Sequence, residues 1–171
     1  MPYPPVLPSG TELPVESELG AIERAVVEGS LVLIAAPGAG KSSLVPFAVD
    51  AALQTAHQAG DDPRLPQEPG RVMVLQPRRL AARAVAARLA GLLGEPMGES
   101  IGIAMRGEQR RGRRIEVVTE AILTQRLQRD PELSGIGAVI FDEFHERNLH
   151  SDLGLAMAIE ARNAVRPDLR L

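Results

Sequence analysis

Apolar residues in this chain follow two alternating patterns. Some form short unbroken runs rich in Val and Ile; others recur every three or four positions over longer stretches. The runs "SLVLIAA", "RVMVLQP", "SIGIAM", "RIEVVT" and "GAVIFDE" read as strands, and the first and last are continuous enough to be buried on both faces. Between them the spacing changes to that of helices. Residues 15 to 28 place Leu19, Ile22, Val26 and Val27 on one helical face. A helix is expected from about Lys41 to Ala56, followed by the polar, Pro- and Gly-rich loop "HQAGDDPRLPQEPG". "RRLAARAVAARLAGLLG" predicts a helix stopped by Gly94. "EAILTQRLQRD" predicts another, and "SDLGLAMAIEARNAV" a last one with Ser151 as its N-cap. "DLRL" begins a further strand. Strands alternating with helices predict an α/β fold of three layers, a mostly parallel sheet with helices on both faces.

Composition narrows this picture in a few respects. Hydrophobic residues make up 44% of 171, enough for one domain with a real core, but aromatic residues are only 2%. Leu, Val, Ile and Ala must therefore fill the interior. The absence of Cys excludes disulfides and thiolate metal sites. No apolar run approaches the roughly 20 residues that span a bilayer, so no membrane association is expected. The start, "MPYPPVLPSGTELP", has no basic and apolar leader pattern, which makes a cytoplasmic location the default expectation. Residues 1–14 read as a Pro-rich tail and 15–171 as the folded domain. The net charge of -3 disfavours attraction of nucleic acid to the whole surface but leaves room for a local basic strip.

The 19 strongly basic residues include one lysine, and it lies in "APGAGKSS". A predicted strand runs into a Gly turn, and Lys41-Ser42 opens a helix. Gly38 and Gly40 let the backbone turn its amides inward, where with the helix N-terminus they form an anion nest. Pro37, Gly38, Ala39, Gly40, Lys41, Ser42 and Ser43 are thus the candidate phosphate-binding residues, with ATP the expected ligand. Lys41 would reach the terminal phosphates as a compact charge, and Ser42 would ligate Mg²⁺. The usual pattern begins with Gly, where this chain has Ala35. The metal's second partner is expected in "AVIFDEFHER". Asp142 follows four apolar residues at the carboxyl end of a strand, the edge where open α/β sheets bind ligands. Asp142 would hold Mg²⁺ through its water shell, and Glu143 would orient or deprotonate the attacking water. Lys41, Asp142 and Glu143 are the candidate catalytic set.

"APGAGKS", "QPRRLAA", "TEAIL" and "DEFHER", in this order, resemble the first RecA-like domain of the superfamily 2 DEAH-box helicases. "DEFHER" with "PGAGKS" is most similar to the bacterial HrpB-type ATP-dependent RNA helicases. The resemblance implies an ATPase that translocates on or unwinds nucleic acid, with RNA or DNA as partner. It places Arg78, Arg79 and Thr119 on the nucleic-acid backbone, with Arg106 as a further contact, Arg88 on the adenine ring, and His145 as the link to a second RecA-like domain. It also implies that residues 15–171 are the first such domain alone, truncated before a Ser-Ala-Thr strand, the second RecA-like domain and C-terminal domains. Arg83, Arg110, Arg111, Arg113 and Arg114 read as solvated charges. Two other classes remain open: a different P-loop phosphotransferase, and a nucleotide- or RNA-binding fragment that does not hydrolyse.

Overall fold

The computed structural model describes residues 13–59, 69–146 and 148–171. A 3₁₀ turn at Glu16–Glu18 leads into α1 (Leu19–Glu28), and α2 (Lys41–Ala59) follows the Gly-rich loop. Next come β1 (Arg71–Gln76), α3 (Arg79–Leu93), β2 (Ile101–Met105), β3 (Glu108–Arg110) and β4 (Ile115–Thr119). The chain continues through α4 (Glu120–Arg129), β5 (Ile136–Phe141), a 3₁₀ turn at Phe144–Glu146 and α5 (Leu149–Ala164). The strands form one sheet in the order β3-β2-β4-β1-β5. Its β1–β4, β1–β5 and β2–β4 pairs are parallel, and β3 returns antiparallel on β2. β3 lies within "RGEQRRGR", where no apolar residue marks a strand, so the pattern did not show it.

Alternation along the strands splits the core in two, as a three-layer α/β/α fold requires. Val72 and Val74 of β1, with Ile101, Ile103, Ile115 and Val117, pack under α1, α2 and α3. Met73, Leu75, Ala104, Val118 and Val139 face α4 and α5. On α1, Ile22 and Val26 are buried, whereas Val27 turns outward with 39% of its surface exposed. Gly94 ends α3 in the left-handed conformation with φ of 66°, the role its position predicts. The N-cap of α5 is Asn148, whose side chain accepts from the Ser151 amide at 2.9 Å. Ser151 lies inside the helix instead and donates to Glu120. The predicted 57–70 loop starts later, because α2 runs to Ala59; residues 60–68 lie outside the described part, as do 1–12 of the predicted tail.

The largest departure from the sequence pattern is "SLVLIAA". Residues 30–36 are extended but belong to no strand, and Val32 and Ile34 are 87% and 91% exposed. The reason is the neighbour. Arg170–Leu171 lies between this segment and β5: Arg170 N donates to Gly137 O at 3.0 Å, and Val139 N to Arg170 O at 2.9 Å. On the other side Leu31 N donates to Leu171 O at 3.1 Å. Past that two-residue ribbon the 30–36 segment and β5 flank an open groove of about 980 Å³. Its walls include Leu33, Ile34, Val45, Val74 and Ile140, and its upper end reaches Lys41 and Asp142. The expected strand at "DLRL" is present as a single parallel bridge from Arg170 to Ala138.

Candidate functional site

All four parallel strands end at one edge of the sheet, and the motif residues gather there. The Gly-rich loop takes the shape its sequence demands. Gly38 has φ of 78° and Gly40 φ of 93°, conformations that L side chains rarely adopt. Gly40 is also closely packed: a Cβ there would lie 2.8 Å from Leu13 Cδ1 and 3.2 Å from Val15 Cγ1. Val15 N donates to Ala39 O at 2.9 Å, so the segment before α1 braces the loop. Lys41 begins α2, and its Nζ donates to Ala35 O at 2.6 Å and to Ala36 O at 2.9 Å. The lysine charge is thereby held inside the loop.

Asp142 directly follows β5, and its amide donates to Leu75 O at 3.3 Å. Its carboxylate joins the loop to the sheet. Oδ2 accepts from Ser42 Oγ at 2.6 Å and from Gln76 Nε2, while Oδ1 accepts from Glu143 N at 2.9 Å. Glu143 has φ of 53°, left-handed backbone for a non-glycine residue, a strained conformation of the kind that functional sites retain. Its Oε2 lies 3.3 Å from His145 Nε2, and the His145 side chain is 78% exposed. Phe144, at the third position of "DEFH", sets its ring edge-on to Phe141 with centroids 6.1 Å apart. That contact anchors the turn carrying Glu143 and His145. Ser42, Asp142, Glu143, His145 and Lys41 all border the same groove.

The arginines divide by partner. Arg78 is exposed and makes a two-pronged contact with Glu146, at 3.1 and 3.2 Å. Arg79 turns to the end of β2, donating to Arg106 O at 3.0 Å and lying 3.5 Å from Met105 Sδ. It therefore braces the turn in which the exposed Arg106 sits. Thr119 pairs with Gln76 in the β1–β4 register, at the N-cap of α4, which places it on the same edge. Arg88 is exposed on α3, nine residues from the helix start, so about 13 Å along its axis. It is not among the residues lining the groove. Two arginines expected to be solvated charges have carboxylate partners. Arg114 donates to the buried Asp50 of α2, and Arg83 to Glu108. Burial pushes the Asp50 carboxyl above its ordinary value, and Arg114 offsets part of that; Arg83's hydrogen bond holds the Glu108 carboxyl below its ordinary value.

Three site residues escaped the sequence reading. Gln76 falls at the end of a predicted strand, Glu120 at the start of a predicted helix, and Glu146 within "DEFHER" with no role assigned to it. Each is defined by a distant partner: Asp142 for Gln76, Asn148 and Ser151 for Glu120, Arg78 for Glu146. The only local signal was a polar residue closing an otherwise apolar strand in "VMVLQ". Among the described residues no cluster of three or more His, Cys, Asp or Glu could hold a metal, and no helix is long and apolar enough to cross a membrane. Any cation here would rest on Ser42, Asp142 and groups from a ligand.

No protein-family model matches the chain. It is 45% identical over 164 residues to the ATP-dependent RNA helicase HrpB of Escherichia coli, covering 94% of this chain and 19% of that protein. It is 32% identical over 163 residues to the DExH-box ATP-dependent RNA helicase DExH3 of Arabidopsis thaliana, covering 93% and 13%. A crystal structure of the E. coli DExH-box NTPase HrpB superposes with a TM-score of 0.79 at 42% identity, covering 96% of this chain and 19% of that one. A crystal structure of the E. coli DEAH/RHA helicase HrpB gives a TM-score of 0.75 at 44% identity, covering 93% and 19%. The chain thus spans about a fifth or less of the length of these relatives. With the RecA-like α/β sheet and the four motifs in place, the chain is a homologue of the DExH-box ATP-dependent RNA helicases and corresponds to a fragment of their N-terminal region.

Proposed function

We propose that this chain is the ATP-binding and ATP-hydrolysing part of a DExH-type RNA helicase, and that it drives movement on nucleic acid only together with a second RecA-like domain. The observation that carries this reading is the Ser42–Asp142 contact at 2.6 Å, which brings the phosphate loop and the β5 carboxylate to one point. A hydroxyl and a carboxylate are hard oxygen donors that suit Mg²⁺, which keeps several waters and takes its other ligands from phosphates. Bound there, the cation would neutralise charge on the β- and γ-phosphates. The loop amides after Gly38 and the start of α2 receive those phosphates. Lys41 exchanges its two carbonyl partners for phosphate oxygens. Glu143, one residue beyond Asp142, orients or deprotonates the attacking water, and His145 transmits the state of the site to the second domain. Arg88 stacks on the base.

Nucleic acid, RNA in this reading, crosses the same sheet edge by its backbone, on Arg78, Thr119 and Arg106, with Arg79 holding the Arg106 turn in place. Backbone contacts of this kind position a strand without reading its sequence. Residues 15–171 serve as the first domain of the pair, in the cytoplasm. The test is calorimetry with Mg-ADP on the wild-type chain and on Lys41→Ala. Binding lost or weakened at least tenfold in the variant supports the assignment. Equal binding by both would sink it.

A further inference from the structure

One buried polar side chain at this edge has no place in the roles given above. Gln76 closes β1 with 2% of its surface exposed, after a strand whose other buried residues are all apolar. A buried amide without partners is costly, so its contacts explain its presence. Its Nε2 donates to Asp142 Oδ2, the oxygen that also accepts from Ser42 Oγ. The β1–β5 register sets Leu75 opposite Phe141, which brings the next residue of each strand, Gln76 and Asp142, side by side.

The donors on Asp142 differ in permanence. Ser42 sits in the first turn of α2, and the nucleotide reading directs its oxygen away from Asp142 to the cation. Glu143 N lies in a strained turn beyond the sheet. Gln76 belongs to β1, which is hydrogen-bonded on both sides, to β4 and to β5. A neutral amide also orients a carboxylate without cancelling its charge, as Lys or Arg in that place would. We infer that Gln76 is a positioning residue for Asp142: from β1 it keeps the carboxylate aimed at the loop while Ser42 turns to the cation. This rests on the proposed nucleotide reading and adds to it the residue that sets the metal-side geometry.

The experiment separates metal from phosphate binding. ADP affinity is measured by calorimetry on the full chain in EDTA and then across a Mg²⁺ titration, for wild type and Gln76→Met, which keeps length and removes the donor. Thermal melting monitors the fold. The expected result is unchanged affinity in EDTA, because the loop amides and Lys41 are untouched. The Mg²⁺ concentration for half of its effect should rise about tenfold, the usual scale for losing a group that orients a metal ligand. Gln76→Asn, one methylene shorter, should show the same shift and provides the answer if the Met variant does not fold. An unchanged Mg²⁺ midpoint in a folded variant overturns the role. Equal weakening in EDTA and in Mg²⁺ also overturns it, since that is what general damage to the site would do. Absence of ADP binding by the wild-type chain would refute the nucleotide reading itself, and the positioning role with it.

Discussion

The two loop glycines make the same backbone demand in different surroundings, and a pair of alanine substitutions separates the two costs. At Gly38, φ is 78° and a Cβ would meet nothing within 4 Å. Gly38→Ala should therefore cost only the backbone term, about 1–2 kcal/mol. At Gly40, φ is 93° and the added carbon would lie 2.8 Å from Leu13 Cδ1, 3.0 Å from Leu13 Cβ and 3.2 Å from Val15 Cγ1. Overpacking adds about 1–3 kcal/mol to the backbone term. For a chain of this size the second term corresponds to a further drop in melting temperature of roughly 2–12 °C. Urea unfolding monitored by circular dichroism measures both variants. The double variant Gly40→Ala with Leu13→Ala should recover part of the packing term, although Leu13 Cβ remains in the way. Equal destabilisation by Gly38→Ala and Gly40→Ala would refute the packing argument. So would a Leu13→Ala cost that simply adds to that of Gly40→Ala, because the two side chains would then not touch.

Glu146 pairs with Arg78, and on the proposed reading a nucleic-acid phosphate would compete for that arginine, so Glu146→Gln should tighten single-stranded RNA binding by about two- to fivefold, the worth of an exposed ion pair. Fluorescence anisotropy should show that gain vanish in an Arg78→Ala background; a gain that survives there would mean the pair does not compete with RNA. Arg166 hydrogen-bonds Asp168 and holds its carboxyl below the ordinary value. A carboxyl depressed in the folded state contributes stability that is full above its unfolded value, about 3.9, and is lost as pH falls through the folded value. Asp168→Asn should thus melt below wild type at pH 7, with the gap closing as pH drops below about 4; a gap independent of pH would contradict this.

What the sequence made legible was whatever depends on neighbours along the chain. β1, β4 and β5 stood out as apolar runs, α3 by its period and its Gly94 stop, and the phosphate loop by glycines that do take positive φ at Gly38 and Gly40. What it hid depends on distant partners. "SLVLIAA" has the composition of a buried strand, but sheet membership needs a strand beside it, and among the described residues its hydrogen-bonded neighbour is Leu171, next to the Arg170 bridge to β5. β3 is a strand because β2 offers it an edge, not because of its own residues. Arg114 reads as one of several arginines in a charged stretch until α2 brings Asp50 to it. Asn148 and Ser151 are both good caps by type, and the choice falls to Asn148 because Ser151 is drawn to Glu120 across from α4.

The same distinction bears on how, in the proposed function, the carboxyl edge of the sheet would serve nucleotide and nucleic acid together. The turn after β1 and the turn after β5 are far apart in sequence, yet they are joined twice. Gln76 reaches Asp142 and, two residues on, Arg78 reaches Glu146. The inner contact is partly buried and reaches Ser42, at the start of α2, through a shared carboxylate oxygen. The outer one is open to solvent, where an incoming phosphate can compete for the arginine. Only Pro77 separates the two residues, and its ring fixes φ and removes a donor, which limits how far one contact can shift without the other. Glu120, at the start of α4, ties in the beginning of α5 through Asn148 and Ser151. In the proposed function the edge is thus a frame in which nucleotide-side and nucleic-acid-side groups share backbone. There, a phosphate that displaced one turn would act on a turn hydrogen-bonded to the other.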